Sequence, residues 1–264
     1  MNTTGTDTKC KNADRSQKGI SKIRRAYFIR LAVRILIFFA CLMTALFHPE
    51  KYRILYGWNF FRALSPFYAL WLLWILDMLW QLIPVQKNLP LGSQKLFQFR
   101  FKPISEAINY KALRKHIIET TKAAYLVMIL WVALTGVLSV LRYLRVLNDI
   151  VLFMISTAFY VCDLICVLIW CPFRLIMKNR CCTTCRIFNW DHLMMFTPLL
   201  MVRGFFSRSL LIMAIGVWLV WELCVMMYPE RFWEHSNESL RCANCTDKLC
   251  TQYCQKLRKD NNPV

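Results

Sequence analysis

An all-α bundle of transmembrane helices, polytopic and with about six spans, is the fold class this sequence predicts. Two observations carry the prediction. Apolar residues make up 57% of the 264-residue chain and lie in long blocks, without the short periodicity of surface elements. The basic residues fall between those blocks in an alternating pattern.

A bilayer core about 30 Å thick needs roughly 20 apolar residues of helix. Residues 123–141 meet that length with no charged side chain. Residues 66–86, 150–171 and 209–228 meet it with one acid each: Asp77, Asp163 and Glu222. Residues 31–47 form a shorter block that carries Arg34. A soluble helix keeps a polar face over such lengths, so this pattern argues against a soluble domain. Residues 1–30 are polar and basic and read as a cytoplasmic segment. The block after them ends in His48-Pro49-Glu50, not at a small-residue cleavage site, and reads as a retained first span.

The sixth candidate, 193–206, is the ambiguous one. It is short and holds Pro198, Arg203 and Gly204. It is either a span or a re-entrant or interfacial segment beside five spans. Loop charge separates these readings. If it crosses, Lys and Arg number 8, 3, 8, 2, 4, 2 and 6 in successive non-spanning segments, or 26 on one side against 7 on the other. If it does not, the division falls to 22 against 11. The positive-inside rule therefore predicts six spans with both termini cytoplasmic, in a plasma or cytoplasmic membrane. It also accounts for the net charge of +19 without a nucleic-acid partner; the implied partner is the lipid bilayer.

The basic loop 87–122 alternates over 96–102, placing Phe97, Phe99 and Phe101 opposite Gln98, Arg100 and Lys102. A helix over 104–121 follows, with Ser105 as its N-cap. This suits either the headgroup region or a solvated loop.

Buried charge is the first functional signal. In the six-span reading Asp77, Asp163 and Glu222 lie roughly 17–20 Å into their helices at about 1.5 Å per residue, in one layer. Such acids face the bundle interior and need partners. Arg34 is the natural one, with Arg30 a turn earlier on the same face, and Arg203 is a second candidate. The layer reads either as a proton or cation path with a polar cavity, which makes a transporter or channel, or as structural ion pairs.

Cysteine spacing is the second signal. Cys162 and Cys166 share a helix face and Cys171 ends that span. Cys182-x2-Cys185 follows in a loop, and the tail 229–264 holds Cys242-x2-Cys245-x4-Cys250-x3-Cys254. Two thiolates on one tight turn reach a single ion, and four complete a tetrahedral zinc site or hold an iron–sulfur cluster. Two arrangements are open: a four-cysteine site in the tail, or Cys182 and Cys185 meeting Cys242 and Cys245. Structural zinc is expected over a cluster. Disulfides in an exoplasmic tail are the alternative, with Asn237-Glu238-Ser239 and Asn244-Cys245-Thr246 as matching sequons. Asp191 and His192, beside Trp190 at a membrane boundary, read as ligand or supporting groups for such a metal. The chain carries no P-loop, nucleophile elbow or HExxH. A non-enzymatic membrane protein with a cysteine-bound metal is the first expectation, a transporter or channel the second and a thiol redox enzyme the third.

Overall fold

The computed structural model describes residues 22–62, 65–82, 101–104, 108–177 and 185–240. These are helical, with no strand among them. The helices are α1 Lys22–Phe47, α2 Phe67–Leu82, α3 Tyr110–Tyr143, α4 Asp149–Leu168, α5 Phe173–Met177, α6 Asp191–Phe196 and α7 Phe205–Met227. Four of them, α1, α3, α4 and α7, are long and apolar enough to cross a membrane. Helix α2 is apolar but has 16 residues, about 24 Å of helix.

Helix boundaries follow local chemistry. Helix α3 starts where the Asn109 side chain accepts from Ala112 N–H at 3.1 Å, and α4 where Asn148 accepts from Val151 N–H at 2.8 Å. The helix expected over 104–121 begins instead at Tyr110, capped by Asn109, and runs on into the third apolar block, so α3 is one 34-residue helix. Ser105 lies outside the described residues, as do 96–100.

Contacts define two ends of the bundle. At the proximal end Tyr27 and Leu31 of α1 pack on Leu164, Val167 and Leu168 of α4. There the C-terminal extension of α7 meets the start of α3, with Trp233 stacked on His116 at 5.9 Å. Glu238 N–H also donates to Lys102 C=O at 2.9 Å. At the distal end α1 gives way to the 3-10 turn Pro49–Leu55, and Arg142 at the end of α3 pairs with Asp149 at 2.8 Å.

Helix α4 thus ends proximally and α7 begins distally. The chain returns between them through Arg186–Trp190 (3-10), α6 and Thr197–Met201 (3-10). A 3-10 helix rises about 2.0 Å per residue against 1.5 Å for an α-helix, so the run 186–201 reaches up to about 29 Å. It is packed inside the bundle: Met195, Phe196, Leu199 and Val202 are in the main core. The segment expected over 193–206 therefore differs in its bounds. Helical structure begins before it, Val202–Gly204 is extended, and Phe205 already belongs to α7.

The core is aromatic. Trp74 of α2, fully buried, lies edge-on to Phe196 at 5.2 Å and Tyr160 at 5.8 Å. Tyr52 sits between Phe67 at 4.6 Å and Phe153 at 5.5 Å and donates its hydroxyl to Cys41 C=O at 2.7 Å.

A backbone clasp closes the distal end. Gly57 N–H donates to Arg203 C=O at 2.9 Å, and Phe205 N–H donates to Gly57 C=O at 3.1 Å. Gly57 has φ +55°, and a Cβ on Gly204 would lie 1.9 Å from Leu55 O. Gly204→Ala should therefore lower stability by about 1–3 kcal/mol, read as the unfolding midpoint in detergent. A Cβ on Gly136, inside α3, meets nothing within 4 Å, so Gly136→Ala should not lower that midpoint and should raise it slightly.

Candidate functional site

The site is built from α1, α2, α4 and α6, and Arg34 is its hub. Its Nη1 donates to Asp163 Oδ2 at 2.7 Å and its Nη2 to Asp77 Oδ2 at 3.2 Å. Nη1 also donates to the Tyr160 C=O at 2.8 Å, and the guanidinium lies 3.9 Å from the centre of the Tyr160 ring. Position explains this fork. Tyr160 and Asp163 are three apart on α4 and share a face, while Asp77 faces them from α2.

The network continues through α6. His192 Nε2 lies 3.6 Å from Asp77 Oδ2, and Nδ1 lies 2.8 Å from Asp191 Oδ1. Gln81, one turn after Asp77, donates to Asp191 Oδ2 at 2.9 Å. Asp191 Oδ1 also accepts the His192 backbone N–H at 2.6 Å. The order is Asp163, Arg34, Asp77, His192, Asp191: an imidazole held between two carboxylates, with a guanidinium bridging to a third. Asp191 and His192, expected near a metal, join Asp77 and Asp163 instead. No group of three metal-ligating side chains forms among the described residues.

Glu222 is not part of this network. Its carboxylate accepts from Arg186 in a close double contact and from Trp190 Nε1 at 2.6 Å, and Arg186 also donates to Thr121 Oγ1 at 2.6 Å. This second cluster ties α7 and α3 to the start of the 186–201 run. Arg203 lies apart from both, at the distal clasp, where it lines an open depression with Trp58 and Arg208.

A cavity of about 250 Å³ adjoins the network between α4 and the 186–201 run. Asp163 and Asp191 line it beside the rings of Trp131, Phe159, Phe173 and Phe188. Cys162, Cys166, Cys171 and Cys185 line it too. Of the expected metal ligands only Cys185 is described; Cys182, Cys242, Cys245, Cys250 and Cys254 lie outside the described residues. The sequon at Asn237 is closed off: its side chain is fully buried and donates to Arg231 C=O at 2.9 Å. Asn244 lies outside the described residues.

Comparisons of the chain with family models, with curated proteins and with solved structures give no match.

Removing one member of a buried ion pair leaves an uncompensated charge, which costs about 3–5 kcal/mol. Arg34→Leu should lower the unfolding midpoint in detergent strongly. Adding Asp77→Leu and Asp163→Leu should recover most of that loss, because apolar groups then replace the whole cluster.

Proposed function

We propose that the protein is a six-span transporter or channel, with both termini cytoplasmic, that binds and passes a proton or small cation at its interior carboxylates. The single observation that carries this reading is His192 held between Asp77 and Asp191 beside the Arg34–Asp163 pair. Within direct reach three carboxylates face one guanidinium. Protonating the imidazole still leaves one negative charge among these five groups. A surplus carboxylate in a low-dielectric interior is held at a cost unless it takes up a proton or a cation. Intramembrane acids and histidines in chains are the usual parts of proton relays.

The six-span reading is supported by the reach of the 186–201 run and by the charge count. It is also supported by the pairing of Lys102 with Glu238, which brings the basic loop and the segment after α7 to the same end.

Reconstituted in vesicles, the protein should carry a flux that dissipates an imposed pH gradient. His192→Gln and Asp163→Asn should reduce it to the background of empty vesicles, while Arg142→Gln, at the distal turn, should not. A wild-type chain at background, with no proton uptake on acidification, would overturn the reading.

A second reading is retained because one observation favours it. Leu240 is buried and the segment before it is docked at the proximal end, where Cys185 also lies. Leu240 and Cys185, the described residues next to the two cysteine groups in sequence, thus lie at the same end. On this reading those thiolates hold a structural zinc, with an iron–sulfur cluster less favoured by their spacing. Elemental analysis of protein purified without oxygen or chelators should find about one zinc per chain. Tail cysteines that resist alkylation until reduced would replace the metal with disulfides.

A further inference from the structure

Sulfur is concentrated around the cavity, and apart from Cys185 neither the carboxylate network nor the zinc reading uses it. Cys162, Cys166, Cys171, Cys185, Met194 and Met195 all line it. Two of these thiols touch: Cys166 and Cys171 share a hydrogen bond. That contact depends on where α4 stops. Residues five apart on an unbroken α-helix point about 140° away from each other at 3.6 residues per turn. Here the helix ends at Leu168, Trp170 N–H turns back to donate to Ile165 C=O at 3.1 Å, and the unwound chain returns Cys171 to the side of Cys166.

We propose that Cys166 and Cys171 form a two-coordinate site for a soft monovalent metal ion of the Cu(I) class. Soft thiolate and thioether donors select Cu(I), whereas zinc requires four donors in a tetrahedron. The pair supplies two, and no third ligating group joins it among the described residues. Binding replaces the two thiol protons by the metal, so the thiols change from neutral to a bis-thiolate complex of net charge −1. Arg174, lining the same cavity, supplies a counter-charge. Met194 and Met195 add polarisable thioethers to the lining of the same cavity.

Silver(I), which is redox-inert, is the probe. One equivalent added anaerobically to the full-length protein in detergent should protect Cys166 and Cys171 together from alkylation, as mapped by peptide mass spectrometry. It should release about two protons. Cys166→Ser should expose Cys171 and weaken binding at least about 100-fold, since loss even of groups that only support a metal ligand costs 10–100-fold. Cys162→Ser should change neither. Cys166→Met, which keeps a soft donor, should restore part of the protection and guards against a Ser variant that fails to fold. Unchanged alkylation of both thiols in the presence of silver would overturn the proposal. So would continued protection of Cys171 in the Cys166→Ser chain, or recovery of the pair as a disulfide in protein purified anaerobically.

Discussion

A single guanidinium in an apolar interior sets the terms for the rest of this bundle. Arg34 is the fourth residue of the first apolar block, and its side chain is largely buried. A charge of that kind holds its place only with partners whose geometry is fixed. Asp163 and Asp77 provide them from two other helices, and the ring and carbonyl of Tyr160 fill the remaining sides. The consequence is structural before it is functional. Helices α1, α2 and α4 cannot slide or rotate about their axes without breaking a short charged contact. Hydrophobic packing alone sets register weakly between helices in lipid, because the lipid competes as an equally apolar neighbour.

The second cluster does the same for the other half. Arg186, Glu222, Trp190 and Thr121 join α7, α3 and the start of the 186–201 run. With the Arg186–Glu222 cluster at its start and the Gly57–Gly204 clasp just after its end, the 186–201 run is fixed at both extremities. That fixing explains how 3-10 geometry persists there. Its hydrogen bonds are poorer than those of an α-helix, and it is retained because anchored ends must be joined by few residues.

Much of this was legible in the sequence, and the limits are physical. Long uncharged blocks announce themselves because hydrocarbon tolerates nothing else, and an arginine inside one demands an acid in another. Arg34, Asp77 and Asp163 could therefore be associated from their depths alone. Glu222 was assigned to the same layer by depth, but its partner Arg186 came from a stretch that read as a loop. His192 and Asp191 were obscured for the same reason. Polar residues at the start of a short apolar run look like a boundary, and nothing in side-chain periodicity signals a 3-10 helix that carries them into the bundle. The available clue was the proximity of Asp191 and His192 in sequence to a run too short to be an ordinary span.

The cavity brings two chemistries of opposite character to one place. Its carboxylate wall is hard, charged and linked through Arg34 and His192 to the centre of the bundle. Its sulfur lining is soft, and the position of Cys171 within it is set by the point at which α4 unwinds. The two walls do not compete for the same ligand, because oxygen donors favour protons and hard cations while sulfur favours soft ones. They are coupled through protons nonetheless. Loading a metal on two thiols takes that pair from neutral to a net charge of −1 and releases protons near Asp163 and Asp191, and protonating those carboxylates removes a repulsion that would otherwise oppose the loading. Occupancy of one wall therefore shifts occupancy of the other by linkage alone, without any helix having to move.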